Sequence, residues 1–205
     1  MPAVDAPPEP ASRPALNVVG GPHPVVDVLE RCLGDADIPV THAIADGTWH
    51  VVIVEVPPGA RRHGAEQCSE LAGLLRELVA VQTGAVEVVV LVDAGEHADD
   101  RRLAGKFQTV LTRMTAEAQI LFGVASTING IDVSGEVDVP LLCRRLIEYF
   151  DQSETLVTGE LLVAEDLRQH SIGTLLSNRF ASPGPDCTSG AGRRSPRRPS
   201  GPLPT

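Results

Sequence analysis

Val86-Glu87-Val88-Val89-Val90-Leu91-Val92 is the stretch on which the fold turns. All but Glu87 are aliphatic, with no polar alternation. A strand of this kind is buried on both faces, the environment of a parallel sheet covered by helices. Toward the N-terminus, 50–56 (HVVIVEV) reads as a second such strand, stopped by Pro57-Pro58-Gly59, and 15–19 as a shorter one ending at Gly20-Gly21. Strands are also predicted over 38–44, 124–133 and 156–164. Between the strands the apolar period lengthens. Cys68, Leu71, Leu74, Leu75, Leu78, Val79 and Gln82 fall at i, i+3, i+4, i+7 spacing and predict a helix over 65–83, closed by Gly84. Phe107, Val110, Leu111, Met114, Ala118 and Leu121 predict another over 101–122. Val25, Val28, Leu29 and Leu33 predict one over 25–33, and 139–150 reads as a further helix. Strand and helix alternate throughout, so the expected class is α/β: a Rossmann-like parallel sheet with flanking helices.

Composition agrees with a folded body and unfolded ends. Of 205 residues 42% are hydrophobic but only 3% aromatic, so the core must be built from Val, Leu, Ile and Ala. Residues 1–14 are Pro-rich and are expected to be a disordered arm. Residues 171–205 turn to Ser, Pro, Gly and Arg and are expected to be a disordered basic tail, which leaves 15–170 as the folded domain. The net charge is -10, and 171–205 holds five Arg against one Asp. The body is therefore more acidic than the whole, which argues against nucleic acid as a partner. Arg193, Arg194, Arg197 and Arg198 read as a solvated tail rather than a phosphate patch. Cys32, Cys68, Cys143 and Cys187 form no CxxC pair and read as reduced thiols. No apolar run has the length of a membrane span, and the acidic, Pro-rich start is unlike a signal peptide. The expected location is the cytoplasm.

From about Ala15 to Asp166 the chain resembles the short-chain dehydrogenase/reductase family. The resemblance is carried by Lys106 opening the helix FQTVLTRMTAEAQILFG, by Ile128-Asn129-Gly130-Ile131, by the loop Val133-Ser134-Gly135, and by Val157, Thr158, Gly159, Leu162 and Val163. The departures are as informative. The family's glycine-rich phosphate loop corresponds here to Val19-Gly20-Gly21-Pro22-His23-Pro24-Val25-Val26. Pro24 and Val26 stand where glycines let the backbone approach a pyrophosphate, and Pro22 and Pro24 remove N–H donors. His23 reads as an exposed loop histidine. The family's catalytic Tyr, four residues before its Lys, is matched by Arg102, which cannot exchange a proton at neutral pH. The chain's one Tyr, Tyr149, lies on a different helix, and no Ser occurs between Ser69 and Ser126. Lys106, the only Lys, then reads as a surface cation. The chain is also shortened relative to the family: Gly34 to His50 replaces a longer adenosine-binding stretch, and 135–156 leaves little room for a substrate lid.

Other chemistry is sparse. Asp93, Glu96, His97, Asp99 and Asp100 follow the central strand, where ligands of such sheets sit. Carboxylates beside a His can hold a metal, but a solvated loop is the simpler reading. His42 and His50 flank a turn without ligand spacing. No P-loop, GxSxG or HExxH pattern is present.

The resemblance, with its losses, implies a non-catalytic subunit of a heteromeric short-chain dehydrogenase. No catalytic, cofactor or metal residues are expected in this chain. NADP is expected on a catalytic partner subunit, in a heterotetramer by analogy with family symmetry. The pattern of losses is similar to that of the small reductase-like subunits of aminocoumarin (novobiocin-type) antibiotic pathways. Such a subunit supports oxidation of a carrier-protein-bound β-hydroxytyrosyl group to β-ketotyrosyl. The expected subunit interface is Leu71, Leu75, Leu78, Phe107, Leu111 and Met114, two stripes richer in large apolar groups than one sheet face needs. The alternative is a stand-alone regulatory or ligand-binding protein on a dead dehydrogenase fold.

Overall fold

Strand and helix alternate along the chain, and every strand runs in one direction. The computed structural model describes residues 14–47, 49–58, 64–152 and 157–181. Its elements are β1 (Leu16–Val19), α1 (Pro24–Asp35), β2 (Val40–Thr41), β3 (Trp49–Glu55), α2 (Gly64–Ala80), β4 (Val86–Asp93), α3 (Arg101–Glu117), β5 (Ser126–Asp132), α4 (Val139–Asp151), β6 (Leu161–Val163) and α5 (Ile172–Ala181). The six strands order as β2-β1-β3-β4-β5-β6, each neighbouring pair parallel. This is the expected α/β Rossmann-like sheet with flanking helices. The chain builds outward on one side of β1 to reach β2, then crosses to the other side for β3. The C-terminal ends of β1 and β3 therefore frame the switch point at which such sheets bind ligands.

Side-chain alternation along β4 divides the interior into two layers. Val86, Val88, Val90 and Val92 face α2 and α3, with Leu71, Leu75, Leu78, Phe107, Leu111 and Met114. Val89 and Leu91 face the opposite layer of α1, α4 and α5, with Leu29, Leu33, Cys143, Leu146, Phe150 and Leu176. Trp49 stacks on Phe150 there, with ring centroids 5.3 Å apart. A strand flanked on both edges and both faces has no solvent side, which is why its sequence lacks polar alternation.

Four sequence expectations need correction. The strand expected over 38–44 is only Val40–Thr41. Asp37 takes a left-handed φ of 56° before it, and the stretch after it is held as a loop by Gln82. The Gln82 amide accepts from Gly47 N at 3.0 Å and donates to Ala45 O at 3.1 Å. The strand expected over 156–164 shrinks to Leu161–Val163. Side chains replace its ladder bonds: Asn129 donates to Val157 O at 3.0 Å and accepts from Glu160 N at 3.1 Å, and Gln108 donates to Gly159 O at 2.7 Å and accepts from Leu161 N at 3.0 Å. Gly159, with φ 83°, presses so close to α3 that a Cβ would lie 2.9 Å from Thr112 Cα.

The helix expected over 101–122 changes winding at its end. Ala118–Phe122 forms a π turn closed by Gly123 at φ 67°. The wider turn slips the register, so Ala118 stays buried while Leu121, expected on the buried face, is 65% exposed. Disorder was expected from 171, but Ile172–Ala181 is helical and buries Ile172 and Leu176. Two apolar anchors a helical turn apart suffice to dock it, despite the compositional change. The rest of that tail, with Cys187 and its Arg cluster, and the N-terminal arm over 1–13 lie outside the described residues.

The N-terminal rim of the sheet carries two buried titratable groups with opposite pH slopes. His50, 0% exposed, contacts Gly47 O at 2.9 Å, and burial holds its imidazole below the ordinary value. Its contribution to stability is lost as pH falls through that depressed value. Glu87, between Trp49 and Thr127 in the ladder, is 8% exposed and lacks a partner for Oε2. Burial pushes its carboxyl up to about 7 from an ordinary 4.5. Its raised value costs stability progressively as pH rises from the unfolded value to the folded one. Glu87→Gln should therefore match the parent near pH 4. It should be more stable above pH 7 by up to about 3 kcal/mol, read from urea melts across the pH range.

Candidate functional site

β1 is followed by Gly20, whose backbone lies against β3 so closely that a Cβ would sit 2.7 Å from Ile53 O. Only glycine fits there, and its φ of 149° is one that L side chains rarely adopt. The chain then turns through Gly21 and Pro22 into α1. At this point a dinucleotide-binding sheet offers free helix N–H groups to a phosphate. Here they are occupied internally. His23 is the N-cap: its Nδ1 accepts from Val25 N at 3.2 Å, and its carbonyl accepts from Val26 N at 2.9 Å. Pro24 has no N–H to offer.

The other ring nitrogen of His23 faces Asp93 at the end of β4, with Nε2 3.0 Å from Oδ2. Since Nδ1 accepts, Nε2 carries the proton and donates. The His23 side chain is only 9% exposed, so the exposed loop histidine expected from the sequence is instead a half-buried cross-link between β1 and β4. The other Asp93 oxygen, Oδ1, accepts from Gly95 N at 2.8 Å. Next to it Ser134 Oγ accepts from Ala94 N at 2.7 Å, and Asp132 Oδ1 accepts from Ser134 N at 2.9 Å. His23 thus bridges to Asp93 past the C-terminal end of β3, and Ser134 ties the loop after β5 to the one after β4.

The acidic run after β4 disperses. Asp93 joins His23. Glu96 lies 3.5 Å from His97, and Asp100 caps α3 through Arg102 N and Leu103 N. Among the described residues no group of three or more His, Cys, Asp or Glu is placed to hold a metal ion. Asn129 of β5 and Tyr149 of α4 meet in the interior, where Asn129 Nδ2 donates to the Tyr149 hydroxyl at 3.3 Å.

The six residues expected at a subunit interface are all interior. Leu75, Leu78, Leu111 and Met114 are 0% exposed, and Leu71 and Phe107 1%. α2 and α3 lie side by side on one sheet face, so each stripe must cover both the sheet and the neighbouring helix. That consumes the apolar surplus within the chain. What α2 and α3 present outward is different. Ala65, Cys68 and Ser69 of α2 and Arg102, Gly105, Lys106, Thr109, Val110 and Arg113 of α3 line an open groove of about 650 Å³, with no carboxylate on its walls. Arg113 pairs with Glu117 at 3.3 Å. Burial pushes the Cys68 thiol up, and Lys106 partly offsets that. Beyond the groove, the π turn leaves Ile120 78%, Leu121 65% and Phe122 40% exposed. Neither the groove nor the turn was singled out from the sequence. The spacing of Arg102, Lys106 and Arg113 along one helix face was the signal available for the groove.

No family model, curated protein or solved structure matches the chain.

His23 gives this site its most direct test. His23→Ala removes the cap of α1 and the partner of Asp93, and should cost about 1–2 kcal/mol in a urea melt. His23→Asn keeps a capping oxygen and should recover part of the loss.

Proposed function

We propose that this chain is a non-catalytic subunit of a hetero-oligomeric short-chain dehydrogenase and binds no dinucleotide itself. The observation that carries the reading is the internal use of the helix N–H groups at the switch point. The N–H groups that would meet a pyrophosphate are taken by His23, and Asp93 brings a carboxylate to the same place. The Tyr that a reductase would need is absent from α3, and the one Tyr present is buried under Asn129. On this reading NADP and the Ser/Tyr/Lys set belong to the partner. The resemblance points further, to oxidation of a carrier-bound β-hydroxytyrosyl group to β-ketotyrosyl in an aminocoumarin pathway.

The surface offered to the partner is revised from the sequence expectation. It is the outer side of α2 and α3, with its cationic groove, together with the exposed Ile120-Leu121-Phe122 turn that follows α3. Exposed apolar groups beside charged ones are the composition of a protein interface rather than of a bare surface. The same groove favours the second reading, a stand-alone binding protein, in which Arg102 and Lys106 would hold a small anion. The two differ in what rescues activity: only the first requires a second polypeptide.

Co-expression with a short-chain dehydrogenase encoded beside this chain should give a mixed oligomer by size-exclusion chromatography and partner-dependent NADP reduction. Ile120→Asp with Leu121→Asp should split the oligomer and abolish the partner's activity, because unpaired charge would be buried. Both positions are solvent-exposed, so this chain's own melting temperature should hardly change. Titration of the isolated chain with NADP should give no heat. A partner fully active alone, or a micromolar dissociation constant for NADP, would refute the subunit reading.

A further inference from the structure

α2 and α3 run side by side in the same direction. Gly64 opens α2 against Leu103, where a Cβ would lie 2.6 Å from Leu103 Cδ1, and Arg76 further along reaches Glu117 at 2.9 Å. Between these two contacts lies the open groove of about 650 Å³. Arg102, Lys106, Thr109 and Arg113 fall at i, i+4, i+7 and i+11 on one face of α3 and form one wall. In a chain of net charge -10 that wall carries three cations, and no carboxylate lines the groove. Arg113 is engaged by Glu117 at 3.3 Å. Lys106 instead leans across to α2: its Nζ is 4.0 Å from the point where a Gly64 Cβ would stand. Arg102 precedes it by one turn, so two positive charges gather at the Gly64 end of the groove.

The floor carries a feature that packing within the chain does not explain. Gly105 sits inside α3, where a glycine weakens the helix relative to alanine. Beyond its own helix, nothing lies within 4 Å of the place its Cβ would take. No internal neighbour therefore requires a glycine there; a body lying against the bare helix would. Cys68 and Val110, both buried, supply apolar surface beside it.

We propose that this groove binds a small phosphomonoester carrying an apolar body. The phosphate sits between Arg102 and Lys106, and the body lies over Gly105 toward Cys68 and Val110. Two cations match the charge of a phosphomonoester, about -2 at neutral pH, and exceed that of a carboxylate. The Arg102 fork can grip two phosphate oxygens while the Lys106 ammonium adds a point charge. Ser69 on the opposite wall offers a hydroxyl. The proposal rests on the second reading of the groove, as an anion site, and names the anion; it holds with or without a partner polypeptide.

The test is titration of the isotopically labelled full chain with phenyl phosphate, followed through its amide resonances. Shifts confined to the N-terminal halves of α2 and α3 are expected, with a dissociation constant of about 1 mM or tighter. Inorganic phosphate lacks the apolar body and benzoate the second charge, so each should bind about tenfold more weakly. Arg102→Gln and Lys106→Gln, both at exposed positions, should each weaken phenyl phosphate by about tenfold and leave the melting temperature unchanged. Gly105→Ala should raise the melting temperature while weakening binding. Absence of binding by the isolated chain overturns the site even if a mixed oligomer forms, and binding supports it even if none does. Equal affinity for benzoate or inorganic phosphate, undiminished binding by Lys106→Gln, or tighter binding of a polyglutamate peptide would likewise overturn it.

Discussion

β4 is hydrogen-bonded along both edges and packed on both faces, and the remaining elements are arranged around that condition. Each of its peptide groups must find a partner within the sheet, since water reaches neither side. Each side chain must be covered by a helix. β3 and β5 satisfy the edges in full register, from Trp49↔Glu87 to Glu55↔Asp93 and from Val86↔Ser126 to Val92↔Asp132. α2 and α3 cover one face and α1, α4 and α5 the other. Glu87 is a carboxylate buried within the strand, and that burial holds it far from its ordinary range.

The same geometry creates an unavoidable opening at the C-terminal ends of β1 and β3, where the chain changes direction across the sheet. A nucleotide-binding protein leaves its helix N–H groups free there. This chain spends them on its own histidine. His23 caps α1 and reaches Asp93 at once, so one side chain satisfies a helix terminus and ties β1 to β4. Occupied helix N–H groups and a structural cross-link are two aspects of one histidine in the turn.

α2 and α3 illustrate how far a hydrophobic stripe can be read. Leu71, Leu75, Leu78, Phe107, Leu111 and Met114 were legible as buried, and they are. What buries them was not legible. Periodicity reports which face avoids water but not whether a sheet, a neighbouring helix or another chain covers it. Side by side on one face, the two helices use their surplus on each other. The apolar groups left in solvent, Ile120 to Phe122, come from a π turn whose register slip no 3.6-residue pattern contains.

The sequence by itself determined the class of fold, because Val- and Ile-rich runs without alternation, bounded by turn residues and separated by helical spacing, read as strands buried on both faces. It also determined that no Tyr stands four residues before Lys106 and that no Ser lies between Ser69 and Ser126, since an absent residue needs no coordinates. Strand order, the shortness of β2 and β6, and the helix Ile172–Ala181 were decided by tertiary structure. In each case a contact from a distant segment outweighs local preference: Gln82 holds the loop after β2, Asn129 and Gln108 stand in for the ladder before β6, and the α1–α4 layer accepts Ile172 and Leu176. The pairing of His23 with Asp93 belongs to the same kind. It joins residues that have no pattern in common along the chain and become neighbours only once β1, β4 and α1 have packed.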